Sequence, residues 1–153
     1  MSTDIPTTPC EDPAETIMAA IAHGMEGNPA LGLSLLSPFL KDGPTPTVSM
    51  CASLASMVAV AVEKQNPGAP KGSYGLLALH HGLPANAQEM PPGLRFAAQF
   101  TTAWLNGEGK TAYALFNALL GEGTDQDASN LVDGVLALYS LAVTSAQQMR
   151  ATA

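Results

Sequence analysis

Three histidines are the only imidazole groups of the chain that could act in acid–base catalysis or bind a metal. They are His23, His80 and His81. Neighbouring residues of an α-helix point about 100° apart, so His80 and His81 cannot chelate one ion from one helix face. His23 and His81 each precede a glycine, where a side chain is expected to cap helix carbonyls. Capping is therefore the favoured interpretation, and we predict no metal site and no cofactor.

Two short motifs begin like known binding sites but lack required residues. Residues 109–111 (Gly-Lys-Thr) match the end of a phosphate-binding loop, yet Trp104 occupies the position of its first glycine and no strand precedes it. Residues 125–129 begin like a calcium loop, but Asn130 and Leu136 replace its essential glycine and glutamate. No G-x-S-x-G nucleophile elbow is present either. The sequence therefore contains no complete catalytic motif, and we predict no catalytic residues.

Five of the eight aromatic residues lie close together in the sequence. Phe96, Phe100 and Trp104 recur every four residues, which places them on one side of a helix, and Tyr113 and Phe116 follow on the next predicted helix. Such a cluster is typical of a main hydrophobic core. The alternative is an apolar pocket for a small ligand or for a helix of a partner.

Two predicted helices carry small, uncharged side chains opposite their apolar stripes. Small side chains let neighbouring helices approach closely, so these faces are candidates for protein contacts. Asp133 is the one acid within such a face, and a solvated or partner-facing stripe explains it better than a functional buried acid. The interface candidates are Ser49, Ser53, Ser56, Asn130, Asp133, Ala137 and Ser140.

The charge content of the chain restricts its partners. Charged residues make up 12% of the sequence, about half of the usual ~25%, and so sparse a charge favours self-association or docking. The net charge is −7, and the six Lys and Arg residues are scattered. Binding to nucleic acid or to an anionic membrane needs clustered cations. We therefore expect a protein partner, either a second copy or another subunit, with no nucleic acid and no membrane.

The segment 43–62 has no charged residue and is long enough to span a bilayer. It contains prolines and serines, and its apolar part consists mainly of Ala and Val, which favours a buried central helix over a membrane span. Cys10 and Cys51 form neither a disulfide framework nor a metal motif. The N-terminus lacks the features of a signal peptide. We expect a cytoplasmic protein.

Helical spacing of apolar residues dominates the chain, and no alternating β-pattern is found. We predict an all-α fold, a compact bundle of six or seven helices. Residues 1–12 are predicted to be a disordered leader and residues 13–153 a single helical domain. Its helices are expected at 15–25, 31–40, 48–65, 73–81, 93–106, 110–120 and 125–150, and Thr47 is expected to cap the third. Thr124 and Asp127, three residues apart, resemble a capping box at the start of the last helix, with Asp in the usual Glu position.

In both halves of the domain, glycines and acidic residues separate the helical segments at similar positions. Residues 26–30 align with residues 108–112, and the helix from 48 aligns with the segment from 130 after a small shift. This indicates two pseudo-repeated three-helix units, 13–66 and 93–153, joined by the loop-rich segment 67–92. The alternative is that any helical chain rich in Ala, Leu and Gly aligns with itself.

Three functional hypotheses follow. The first is a non-enzymatic helical module for protein–protein interaction or assembly. The second is a small-ligand-binding helical domain with an apolar pocket lined by aromatic residues. The third is an enzyme that uses His80 or His81. The sparse charge and the absence of a complete catalytic motif favour the first.

Overall fold

Every secondary-structure element in residues 12–65, 67–68 and 90–151, the part of the chain that the computed structural model describes, is an α-helix. These residues are 86% helical and form a bundle of six helices packed against each other, which confirms the predicted fold class. The predicted helix at 73–81 lies outside the described residues, as do residues 1–11 of the predicted leader. The helices are α1 (Pro13–Met25), α2 (Pro29–Lys41), α3 (Pro44–Gln65), α4 (Pro92–Leu105), α5 (Gly109–Leu120) and α6 (Asp125–Ala151).

Several helix boundaries differ from those predicted. Asp12 is not part of a leader, because its carboxylate caps α1 by accepting the amide of Ala14 (3.1 Å). Helix α1 ends at Met25, as predicted, and His23 lies in its last turn, where its capping role stays a prediction. Thr47 does not cap α3, which already begins at Pro44. Its hydroxyl instead lies within hydrogen-bond distance of the carbonyl oxygens of Phe39 (3.0 Å) and Gly43 (2.7 Å).

The turn at the start of α6 was predicted correctly. Thr124 and Asp127 form a reciprocal capping box. The amide of Asp127 donates to the Thr124 hydroxyl (3.1 Å), and the amide of Thr124 donates to the Asp127 carboxylate (3.2 Å). The short side chain of Asp127 therefore performs the role usually taken by glutamate.

The turns that follow α1 and α4 have the same structure. Gly27 and Gly107 adopt the left-handed backbone region, with φ of 87° and 76°. In both turns the residue after the glycine donates its amide to a carbonyl oxygen five positions earlier. Asn28 donates to His23 and Glu108 donates to Ala103, both at 2.8 Å. This is the hydrogen-bond pattern of a Schellman motif. Glycine is favoured at both positions because a Cβ is strained at such φ values.

Buried positions in the first three helices recur in the last three. In α1 and α2 the spacing is 80 residues and in α3 it is 84, each two residues from the spacing of 82 at which residues 26–30 align with residues 108–112. The difference of four residues is about one helical turn, which keeps the same face buried. This pattern supports two three-helix units, whose common origin stays a prediction. Corresponding buried pairs are Ile17/Ala97, Ala20/Phe100, Ile21/Thr101, Gly32/Ala112, Leu36/Phe116, Met50/Gly134, Cys51/Val135, Leu54/Leu138, Ala55/Tyr139, Val58/Ala142 and Ala61/Ser145.

The long helices α3 and α6 pack against each other and against α4. Seven residues of α3 are buried, among them Leu54 and Cys51. Burial raises the pKa of the Cys51 thiol to about 12, so this cysteine is an inert apolar side chain. By length and composition α3 is the one described helix able to cross a membrane, which is weak support for a membrane because core helices have the same properties.

Helices α4 and α6 cross at close range because both have glycine at the crossing point. A Cβ on Gly93 would lie 2.6 Å from the Cβ of Asp133 and 2.7 Å from the amide nitrogen of Gly134. The corresponding residues of α1 and α3 are Pro13 and Met50, and those two helices make far fewer contacts. The absence of side chains thus determines how closely α4 and α6 approach.

A tyrosine of α6 fills a space that two glycines leave between α1 and α2. The hydroxyl of Tyr139 donates to the carbonyl oxygen of Ala20 (2.6 Å). A Cβ on Gly24 would lie 2.5 Å from that hydroxyl oxygen, and a Cβ on Gly32 would lie 2.5 Å from the Ala20 oxygen. Burial raises the pKa of Tyr139.

The crossing of α4 with α3 corresponds to that of α1 with α6, but the large and small residues are exchanged. Trp104 of α4 corresponds to Gly24, and Ala55 of α3 corresponds to Tyr139. The indole Nε1 of Trp104 donates to the hydroxyl of Ser56 on α3 (2.9 Å). Both crossings join the two three-helix units, and each is filled by one large aromatic residue, from α6 in the first and from α4 in the second.

We expect replacement of Thr101 by valine to stabilise the protein. The Thr101 hydroxyl is buried without a hydrogen-bond partner, and the corresponding residue of the first half is Ile21. Valine has nearly the same shape and removes the unsatisfied hydroxyl, so we expect a gain of about 1 kcal/mol. Urea unfolding measures it, with Thr102→Val as control because the Thr102 hydroxyl donates to the Ala98 carbonyl. A loss of stability in Thr101→Val would contradict the expectation.

Candidate functional site

The five aromatic residues proposed as a pocket do not come together as one surface. Phe96, Phe100 and Phe116 are buried core residues, with ring centroids of Phe96 and Phe100 5.2 Å apart. Trp104 stacks on Phe100 at 6.0 Å. Tyr113 is 46% exposed and stays apart from this cluster. The aromatic cluster therefore has the role of a core.

The interface candidates occupy related positions on the two long helices. With the spacing of 84 residues, the three candidates of α3 correspond to three of the four on α6: Ser49/Asp133, Ser53/Ala137 and Ser56/Ser140. Ser49, Asp133 and Ser140 are exposed, whereas the other four candidates are partly buried. Ser56 is already engaged by Trp104. The three exposed candidates, two of them on α6, are therefore those best placed to meet a partner.

Two aliphatic residues that were not predicted from the sequence extend this face of α6. Val132 is 45% exposed and Leu136 is 38% exposed, and they lie one helical turn apart. Exposed Ser140 and Thr144 continue the same row at four-residue steps. The signal was available in the sequence as an aliphatic pair at i and i+4, outside the stripe that contains Leu131, Val135 and Leu138. We call the row Val132, Leu136, Ser140 and Thr144 the α6 outer row.

A groove with a mixed lining lies where α4, α5 and the first turns of α6 meet. Its volume is about 210 Å³. One wall is apolar, formed by Phe96, Leu115 and Leu119 among others, and the polar lining groups belong to Arg95, Gln99, Asp127 and Asn130. Phe96 and Asn130, which the sequence suggested for two different sites, thus contribute to one concave surface.

Arg95 is the only positively charged residue among the described residues that line this groove. Its Nη2 donates to the carbonyl oxygen of Met90 (3.2 Å), and its Nε is buried without a hydrogen-bond partner. A guanidinium has five N–H donors. Within residues 12–65, 67–68 and 90–151, Met90 provides the one acceptor that this guanidinium uses.

Asp127 lines the same groove, and its carboxylate already accepts hydrogen bonds from backbone amides. Its Oδ2 accepts the amide of Glu122 (2.9 Å) as well as that of Thr124. These hydrogen bonds, with that from Glu122 the largest, lower the pKa of Asp127. The positive end of the α6 dipole lies at the same place. These bonds hold the Asp127 carboxylate at the start of α6, and it makes no ion pair with Arg95 within the part of the chain that the structure describes.

A second groove continues the first along α4 and α5. It has a volume of about 330 Å³ and shares Gln99 and Leu115 with the first groove. Its other lining residues are Thr102, Ala103, Glu108 and Thr111. The combined surface, which we call the α4–α5 groove, has a cation near one end, an apolar middle and a carboxylate towards the other end.

No cluster of side chains suited to a metal ion is found in the described part of the chain. Within residues 12–65, 67–68 and 90–151, no three His, Cys, Asp or Glu side chains are close enough to hold one. His80 and His81 lie outside the described residues, so the hypothesis of an enzyme that uses them stays a prediction.

Comparison with other proteins does not assign this chain to a known group. The chain matches no known family model, no curated protein and no solved structure. The functional conclusions for this helical bundle therefore depend on its own surfaces.

Proposed function

We propose that this chain is a non-enzymatic interaction module that self-associates through the α6 outer row. The single observation that carries the proposal is the exposure of Val132 and Leu136 side by side on one helix face. Aliphatic side chains exposed singly are normal on a protein surface, whereas adjacent ones are more typical of an interaction site. Covering them removes apolar area from water.

The surroundings of these two residues favour a protein partner. Between Ala128 and Met149 the sequence has one charged residue, Asp133. Interface cores are depleted of charge, while a polar rim remains in contact with water. Ser140 and Thr144 supply small hydroxyl groups at such a rim, and they do not hinder the approach of another helix.

The same features favour a second copy over a different protein. Complementary charges often select a different protein as the partner, and the α6 outer row carries no charged side chain that could do so. It does match itself when two copies meet about a twofold axis, since each row then covers the other. Homodimer interfaces are also more apolar than transient ones.

The proposal predicts that polar substitutions in the α6 outer row shift the chain towards monomer. The double variant Val132→Ser, Leu136→Ser loses the apolar contact area, so the weight-average mass in sedimentation equilibrium should fall to that of one chain. Both residues lie outside the buried core and are more than a third exposed, so the helical content of the chain should not change.

Val60→Ser is the matched control. Val60 is 47% exposed on α3 and does not belong to the α6 outer row. Its replacement should leave the mass distribution as in the unmodified chain. An unmodified chain that sediments as a monomer at every concentration, or a double variant that associates as strongly as the control, would contradict the proposal.

A further inference from the structure

A second function is carried by the α4–α5 groove, which is independent of the α6 outer row. We propose that this groove binds a small monocarboxylate with an apolar body. The carboxylate lies against the guanidinium of Arg95, and the apolar body lies on Phe96, Leu115 and Leu119. Neither Val132 nor Leu136 lines the groove.

The charge of the ligand follows from the state of Arg95. The guanidinium uses one donor on Met90, and its Nε is buried without a partner. The Nε is enclosed by the protein, so the Nη groups are the donors that can meet a ligand from the groove. A carboxylate offers them two acceptors in a geometry that suits the planar guanidinium.

Negatively charged side chains in the groove restrict the ligand to one anionic group. Asp127 keeps its negative charge, because hydrogen bonds from the amides of Glu122 and Thr124 stabilise the carboxylate, and it makes no ion pair with Arg95 within the described residues. Glu108 lines the continuing part of the groove. A second anionic group would be repelled there, which favours a monocarboxylate over a dicarboxylate.

The size and lining of the groove indicate the rest of the ligand. The part beside Arg95 has a volume of about 210 Å³, below the range of about 300–1,000 Å³ found for drug-sized ligands. Its apolar wall suits a short hydrocarbon chain, and the continuation past Leu115 provides room for a longer one. Gln99 lines both parts and offers an amide along the path.

Three probes of equal chain length test the charge requirement. Octanoate, octanol and octylamine have similar bodies and differ in the head group. In calorimetric titrations of the full chain we expect octanoate to bind and the other two to bind at least about tenfold more weakly, since a hydrogen bond to a charged group contributes a decade or more. Octanol or octylamine binding as tightly as octanoate would overturn the proposal.

The variant Arg95→Met keeps much of the length of the side chain but removes its charge. It should weaken octanoate binding about tenfold or more for the same reason, while Lys110→Met, on α5 outside the groove lining, should leave it unchanged. Leu115→Gln provides a second test, because it changes the apolar wall without touching the guanidinium, and it should weaken octanoate binding too. Equal octanoate affinity in the unmodified chain and both groove variants would overturn the assignment.

One further probe separates a free ligand from the end of a peptide. N-acetyl-leucine has a carboxylate beside a branched apolar side chain, as a peptide C-terminus does. Weaker binding than that of octanoate supports a free monocarboxylate. Tighter binding, lost in Arg95→Met, would overturn it in favour of a peptide carboxylate.

Discussion

Replacement of Gly93 by alanine is expected to destabilise the bundle more than almost any other change of one methyl group. The added Cβ would lie 2.7 Å from the amide nitrogen of Gly134 and 2.8 Å from the carbonyl carbon of Asp133. These are backbone atoms of α6, so the conflict can be relieved only by separating two helices. We expect a loss of about 3 kcal/mol, the upper part of the usual range for overpacking. Urea unfolding followed by circular dichroism measures it.

Gly109→Ala is the matched control for this experiment. Gly109 also begins a helix, but a Cβ there would meet nothing within 4 Å. Alanine is the better helix former, so this control should be neutral or slightly stabilised. If the two variants unfold at the same urea concentration, the close crossing of α4 and α6 is not required for stability.

Gly32→Ala is expected to have a similarly large effect at the other end of the bundle. Its Cβ would lie 2.5 Å from the Ala20 carbonyl oxygen and against the Tyr139 hydroxyl. It would therefore displace the hydrogen bond that joins α6 to α1. Overpacking together with loss of that bond should cost about 3 kcal/mol. The corresponding fall in Tm is roughly 6–12 °C for a chain of this length.

Tyr139→Phe separates the two contributions. It removes the hydrogen bond but adds no atoms, so we expect a loss of about 1 kcal/mol. In the double variant Gly32→Ala, Tyr139→Phe, the new Cβ still lies against the Ala20 carbonyl oxygen. We therefore expect Tyr139→Phe to recover only part of the stability that Gly32→Ala loses. A Gly32→Ala protein at least as stable as Tyr139→Phe would show that α2 moves away from Ala20 without appreciable cost.

The helices could be predicted from the sequence because their boundaries depend on local chemistry. Apolar spacing located all six described helices, and the pattern of Thr124 and Asp127 predicted a cap that the structure contains. The boundaries that failed depend on longer-range contacts. Thr47, for example, has the residue type of a cap, but its hydroxyl reaches Phe39 at the end of α2.

The glycines of the helix crossings could not be interpreted before the fold was known. Gly24 follows His23 and resembles a helix terminator, yet it lies inside α1 and accommodates Tyr139, which is 115 residues away in the sequence. A glycine that ends a helix and one that admits a neighbour look the same locally. The difference depends on which helix passes over it.

The candidate surfaces were only partly predictable for a related reason. The polar face of α6 was identified, but Val132 and Leu136 were not, because an exposed aliphatic residue is recognised only when the core is known. Arg95 was counted as one of several scattered cations. Its importance depends on the walls that α5 and α6 build around it.

The change of spacing from 80 to 84 residues restricts how the length of this chain can vary. An insertion of four residues before the buried part of α6 advances the helix by about one turn and returns Val135 and Leu138 to the same side. An insertion of two would rotate them by about 200° and turn aliphatic residues towards water. Natural or engineered length variants of the long helices should therefore be tolerated in steps of whole turns, with intermediate lengths selected against.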